Sequence, residues 1–259
     1  SSTIPMAFSL RDRWVLITGA SSGFGAAAAL AFARHGARVT ICGRREEKLK
    51  AVADSIGPAC AYVVADITKD ADCARIIEAA VAHGGGLDAL INNAGNMLRG
   101  PIAEMTREAL TEVFDSNVVS GMILTGLALP HLSARKGSVI FLGSVHTRRA
   151  YPGASPYAAT KGAVEVLAKV LAAELGPQGV RVNCVIPGAV STELNIRAGL
   201  VTEDQQRVRM KALESSHALG RIGTEEELAE GIAYMACAEW VTGTSLVVDG
   251  GLSLGISNL

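Results

Sequence analysis

Two patterns alternate along the chain. Short, nearly continuous apolar runs recur at Trp14–Ile17, Arg38–Cys42, Ala61–Ala65, Leu87–Ile91, Ser138–Leu142, Val180–Ile186 and Ser245–Val248. A run that is apolar on successive residues is what a parallel strand buried on both faces needs. Between most of these runs lie longer stretches whose apolar residues return with helical spacing. The alanine-rich stretch from Gly25 to about His35 is one, and Gly36 suits its C-terminus. A more polar helix is expected from about Arg45. Strands alternating with helices imply parallel βαβ units, right-handed crossovers and a doubly wound α/β sheet of about seven strands. Neither an internal repeat nor a low-complexity linker divides the chain. Residues 1–259 are therefore expected to form one domain, with residues 1–10 as an N-terminal arm.

Composition narrows the function classes. Hydrophobic residues make up 49% and mean hydropathy is +0.30, which supports a sizeable core and excludes global disorder. A net charge of −1 offers no draw towards nucleic acid or an anionic membrane. No apolar run approaches roughly 18 residues, so no membrane span is expected. The cysteines (Cys42, Cys60, Cys73, Cys184, Cys237) are odd in number and sit in or beside apolar runs without paired short spacing. They read as buried reduced thiols of a cytoplasmic protein rather than as metal ligands. Ser1 to Pro5 precede Met6 with nothing that suggests secretion or anchoring.

Two local motifs carry chemistry. Thr18-Gly19-Ala20-Ser21-Ser22-Gly23-Phe24-Gly25 joins the first strand to the first helix, the context of a dinucleotide-binding turn. Glycine there lets the backbone approach a pyrophosphate, and the helix N-terminus receives its charge. The spacing is G-x-x-x-G-x-G rather than G-x-G-x-x-G, and a tight turn without a ligand is the alternative. The second motif is Tyr157 and Lys161, four residues apart on an expected helix and so on one face. A phenol with an ordinary pKa of roughly 10 is a poor base at neutral pH. A cation at about 4 Å, with a dielectric of roughly 20, favours the phenolate by up to about 4 kcal/mol. Spacing alone leaves both a proton-transfer pair and a solvated helix face open.

Taken together and in order, these residues resemble the short-chain dehydrogenase/reductase family in its shorter, single-domain branch. The match runs from about Arg11 to Gly251. It includes Thr18–Gly25, Asp66-Ile67, Asn92-Asn93-Ala94-Gly95, Asn117, Ser144, Tyr157 with Lys161, Pro187-Gly188, Thr192 and Val248-Asp249-Gly250-Gly251. The resemblance implies a single-domain Rossmann fold and hydride transfer between a nicotinamide cofactor and a secondary alcohol or ketone. It also implies a catalytic tetrad. Tyr157 would exchange the proton with the substrate oxygen, and Ser144 would hydrogen-bond that oxygen. Lys161 would depress the Tyr157 pKa and hold the ribose. Asn117, on the long helix before the fifth strand, would anchor a water near Lys161.

The same resemblance assigns the cofactor cleft to Gly19, Ser21, Ser22, Gly23, Phe24, Gly25, Asp66, Ile67, Asn93, Ala94, Gly95, Tyr157, Lys161, Pro187, Gly188, Val190 and Thr192. After the second strand the chain reads Cys42-Gly43-Arg44-Arg45, with no carboxylate to take a ribose 2′-hydroxyl. A guanidinium there suits a 2′-phosphate, so NADP(H) is favoured over NAD(H). The competing reading has Arg45 starting a solvated helix beside Glu46 and Glu47. His146, two residues after Ser144, is a candidate to bind substrate with Ser144 and Tyr157, or a structural histidine. Arg148 and Arg149 would bind a carboxylate or form a solvated pair. A substrate lid is expected over about Ala189 to His217, with four positive and four negative charges and no net draw for an anion. A homotetramer, or a dimer, is implied by the family. A 3-oxoacyl thioester reductase and a non-catalytic NAD(P)-binding sensor on this fold remain as alternatives.

Overall fold

A computed structural model describes residues 9–191 and 202–256. Its centre is one seven-stranded sheet, parallel throughout, in the order β3-β2-β1-β4-β5-β6-β7. The strands are β1 (Trp14–Thr18), β2 (Arg38–Gly43), β3 (Cys60–Val64), β4 (Ala89–Asn92), β5 (Ser138–Leu142), β6 (Arg181–Pro187) and β7 (Ser245–Val248). All seven apolar runs become strands, with ends that shift by two residues or fewer. Leu87 and Asp88 fall just before β4, where Asp88 accepts from the Trp14 amide at 2.8 Å and pairs with Arg135 at 2.9 Å.

Helices cover both faces. They are α1 (Gly23–Arg34), α2 (Glu46–Ile56), α3 (Asp70–Gly84), α4 (Arg107–Phe114), α5 (Ser120–Arg135), α6 (Ser155–Leu175), α7 (Glu203–Leu213) and α8 (Glu225–Cys237). Because strand side chains alternate, β1 feeds two cores. Val15 and Ile17 pack with Phe32 of α1 and Ile232 of α8. Leu16 packs on the other face with Leu124 of α5, Phe141 and Val164 of α6. Strand order reverses beside β1, between β1 and β4, so the loops leaving these two strands part and open a crevice at their C-terminal ends.

The helical stretch Arg107–Arg135 is long and apolar enough, by length and composition, to cross a membrane, at a mean hydropathy of 1.3. Polar residues such as Asp115, Asn117 and Thr125 break it, so no continuous apolar run is visible in the sequence. Half of its most apolar window is buried inside the protein, as in a core helix.

Candidate active site

The crevice is a cavity of about 780 Å³. Its walls include Gly19, Ser21, Ser22, Gly23, Phe24, Arg44, Arg45, Asp66, Ile67, Asn93, Ala94, Gly95, Tyr157, Lys161 and Pro187. Most of the residues assigned to the cofactor thus meet in one space. Gly188 and Val190 line a smaller neighbouring cleft of about 160 Å³, together with Asp249 and Gly250. Thr192 and the lid residues 192–201 lie outside the described residues. Within the expected lid span, α7 occupies Glu203–Leu213.

The turn after β1 is shaped for close approach. Gly19 has φ +64°, and a Cβ there would stand 2.7 Å from the Ala94 backbone. A Cβ on Gly25 would meet the Gly19 carbonyl oxygen at 2.5 Å and Asn93 Nδ2 at 2.6 Å. Asn93 fixes the turn from the β4 side. Its Nδ2 donates to the carbonyls of Thr18 (3.1 Å) and Gly19 (3.2 Å), while Thr18 Oγ1 accepts from the amides of Asn93 and Ala94. A glycine-walled turn at the N-terminus of α1, opening into a cavity of this size, fits a dinucleotide pyrophosphate.

Two arginines stand at the end of β2. Arg45 Nη2 donates to Ser21 Oγ at 2.9 Å and to Ser22 Oγ at 2.7 Å. It therefore reaches across to the glycine turn, although it also precedes α2 as its cap residue. Arg44 lines the cavity, and its positive charge helps to hold the Asp66 carboxyl below its ordinary pKa, after hydrogen bonding from the Thr68 side chain.

Proton chemistry gathers where β5 ends and α6 begins. Pro156 sits in the first turn of α6, a position that tolerates a missing amide proton. Tyr157 follows it directly and shares a buried face with Lys161 one turn on, with Lys161 Nζ 5.5 Å from the Tyr157 ring centre. Lys161 Nζ donates to the Leu142 carbonyl at 2.9 Å. Burial lowers its pKa from 10.5 to about 8. Tyr157 departs from the expected depression: burial raises its pKa to about 12, against lowering by a hydrogen bond with Ser144 and by the charge of Arg99. Desolvation of the phenolate outweighs the nearby cations, and Lys161 is turned to a backbone carbonyl. At neutral pH the phenol is protonated.

Ser144 heads the loop after β5. Its Oγ lies 2.8 Å from His146 Nδ1, and His146 Nε2 lies 3.1 Å from Arg99 Nη2. A guanidinium only donates, so Nε2 accepts and the proton of the neutral imidazole belongs on Nδ1. The Nδ1–H then donates to Ser144 Oγ, and the serine proton is left to point elsewhere. Burial, followed by the charges of Arg99 and Arg209, pushes His146 down to about 4. The ring also stacks at a tilt on Tyr151 at 4.6 Å and meets Tyr157 edge-on at 5.1 Å.

Asn117 lies within the long helical stretch Arg107–Arg135, on a single π-helical turn, Asp115–Val119, that joins α4 to α5. Its Oδ1 accepts from the Asn96 amide at 2.7 Å. Its Nδ2 donates to the Asn96 carbonyl at 2.9 Å and to Thr160 Oγ1 at 3.1 Å. The amide therefore ties the loop after β4 to α6, one residue before Lys161. Of the two loop arginines, Arg148 pairs with Glu165 of α6 and Arg149 donates to the Leu252 carbonyl. Sequence reasoning missed Arg99, Asn96, Thr160 and Glu165. Arg99 and His146 are 47 positions apart, and no periodicity links them.

A parallel sheet with a glycine-walled crevice at its order reversal, and a Ser–Tyr–Lys group at the mouth, defines a nicotinamide-dependent oxidoreductase. Comparison with known proteins agrees. The family model described as enoyl-(acyl carrier protein) reductase matches residues 19–253. Glucose 1-dehydrogenase from Gluconobacter oxydans is 36% identical over 248 residues, covering 93% of this chain and 91% of that protein. The A-factor type gamma-butyrolactone 1'-reductase (1S-forming) of Streptomyces virginiae is 37% identical over 253 residues, covering 95% and 97%. Among solved structures, the 3-ketoacyl-(acyl-carrier-protein) reductase from Brucella melitensis complexed with NADH superposes with a TM-score of 0.87. It is 34% identical over 95% of this chain and 100% of that one. The chain belongs to the short-chain dehydrogenase/reductase family and is an oxidoreductase that interconverts alcohol and carbonyl groups with a nicotinamide cofactor.

Proposed function

We propose that the protein reduces a ketone to a secondary alcohol with NADPH, using Tyr157 as proton donor. The observation that carries this reading is the buried, protonated Tyr157 beside Ser144 at the mouth of the cofactor crevice. When bound, the nicotinamide supplies the hydride. The substrate oxygen sits against Ser144 Oγ and the Tyr157 hydroxyl. Ser144, held by the imidazole through its oxygen, directs its own proton at that oxygen and polarises the carbonyl. Tyr157 delivers its proton as charge builds there. Lys161, expected to reach the ribose hydroxyls, completes the positively charged floor. The reverse reaction runs through the same residues, and a thioester-linked ketone remains the alternative substrate.

The preference for NADP(H) rests on Arg44 and Arg45 at the end of β2, a pair suited to a forked hold on a 2′-phosphate. A titration of the purified protein by nicotinamide fluorescence checks it. NADPH is expected to bind more tightly than NADH, and Arg44→Ala to weaken NADPH alone by roughly 10- to 100-fold, the worth of a charged hydrogen bond. Equal loss for both nucleotides in that variant, or tighter NADH, rejects the phosphate reading.

The same proposal includes a cytoplasmic homotetramer. Its support is an apolar face on α5 and α6, where Met122, Ile123, Leu127, Val166 and Val170 are exposed, and β7 as a sheet edge. Five free cysteines agree with a reducing compartment. Sedimentation equilibrium is expected to give four chains, and Met122→Glu to lower that number. A monomeric wild type removes the assembly from the reading.

A further inference from the structure

We propose that Arg99 and Arg209 hold a carboxylate of the substrate, so that the ketones and alcohols this enzyme takes are oxo- and hydroxycarboxylates. The proposal rests on the reaction centre assigned above, and it adds the class of substrate.

Arg99 belongs to the loop after β4, three residues beyond Asn96, whose backbone amide and carbonyl are both clamped by Asn117. Its guanidinium therefore has a fixed seat. One Nη donates to His146 Nε2 at 3.1 Å, and the imidazole passes the contact on to Ser144 at 2.8 Å. The cation thus stands one ring width from the hydroxyl that receives the reacting oxygen. Its Nε is buried and has no hydrogen-bond partner. No acid pairs with it among the described residues.

Arg209 enters from α7. On that helix Arg207 is paired with Asp204 at 2.9 Å and Lys211 with Glu214 at 2.7 Å. Arg209 has no such acid among the described residues, although it is only partly exposed. Its charge acts on both Arg99 and His146. The remaining arginines near the centre are committed elsewhere, Arg148 to Glu165 and Arg149 to a backbone carbonyl. So Arg99 stands half-buried beside the reaction centre with no acid paired to it among the described residues, and the charge of Arg209, likewise without a paired acid among them, acts on it. Holding like charges together out of water is unfavourable, and a forked anion relieves it through charge-assisted hydrogen bonds. His146 does not take this part, because it is neutral and both ring nitrogens are occupied. The lid's balanced charge concealed the subsite: summed over the segment the signs cancel, while among its described residues Arg207 and Lys211 have paired acids and Arg209 has none.

The test is a calorimetric titration of the NADPH-loaded protein with malonate, malonamide and inorganic phosphate. Malonate is expected to bind and malonamide not to. Arg99→Gln and Arg209→Gln are each expected to weaken malonate by at least about tenfold, the lower end for one charged hydrogen bond. Absence of malonate binding, or unchanged affinity in both variants, overturns the proposal. Preference for phosphate over malonate overturns its carboxylate form and points to a phosphate ester. Kinetics with 4-oxopentanoate and its methyl ester give the second arm. Wild type is expected to favour the acid in kcat/KM, and both variants to lose that preference. An intact acid preference in both variants also overturns the proposal. If malonate binds as stated and neither ketone is reduced, the anion site stands and the reductive reading of the centre falls.

Discussion

Replacing Tyr157 by phenylalanine is expected to lower kcat by roughly 10²- to 10⁴-fold, the usual worth of a positioned proton donor. Cofactor affinity should stay within a few-fold, because the glycine turn, Asn93 and the arginines after β2 are untouched. Stability should change little. The phenyl ring keeps its packing against His146, and the lost hydroxyl had burial working against its ionisation. Ser144→Ala makes an informative contrast. It removes one donor to the substrate oxygen but leaves the proton source, so a loss of at most about 10³-fold is expected. Single-turnover rates with saturating NADPH, measured alongside nicotinamide fluorescence, separate chemistry from binding. A Tyr157→Phe protein that turns over at the wild-type rate would show that the proton comes from elsewhere, and the assigned centre would be wrong.

Much of this fold and site is legible in the amino-acid sequence. The strands were visible because each is buried on both faces, so its apolar residues run on without a polar interruption. Ser138–Leu142 and Ser245–Val248 appear as expected. The glycine turn was visible because its backbone conformation and close contacts admit one residue type, as Gly19 and Gly25 show. Tyr157 and Lys161 were visible because a helix turns sequence spacing into proximity. What stayed hidden depends on contacts between distant segments or on burial. The rise of the Tyr157 pKa is a property of its enclosure, which spacing does not encode. The π-turn at Asn117 changes the phase of one continuous helical stretch, and its polar residues read equally well as a helix face. Arg99 carries no motif at all, since its meaning comes from meeting His146 across the cleft. Arg148 was open to a carboxylate ligand or a solvated partner. It has an internal partner, Glu165, one turn beyond Lys161.

That pair sets the second large effect: Arg148→Ala is expected to cost about 3–5 kcal/mol of folding stability, because it leaves a buried carboxylate unpaired. Glu165 is 8% exposed, and its two oxygens accept from both ends of the Arg148 fork and from Ser245 Oγ. One carboxylate thereby ties α6, the loop carrying Ser144 and His146, and the edge strand β7. Burial alone would raise the Glu165 pKa, but hydrogen bonds from Arg148, Ser245 and Thr147 outweigh it and hold the group below its ordinary value. A depressed folded-state pKa contributes stability above the unfolded value of about 4.3 and loses it as pH falls through the folded one. In Arg148→Ala the largest lowering contact is gone while burial remains, so the Glu165 pKa is expected to rise and the group to take up a proton more readily. The variant's deficit should then be largest near neutral pH and shrink on acidification, opposite to a simple loss of packing. Urea unfolding of both proteins across that range measures the difference directly. Arg148→Met combined with Glu165→Leu removes both charges and should recover most of the stability, since well-packed apolar replacements of a buried pair are often neutral. Turnover should not recover in step, because the forked tie that sets the loop beside Ser144 is gone. A deficit constant with pH, or a double variant as unstable as the single one, would mean that Arg148 acts through its stem and not through its charge.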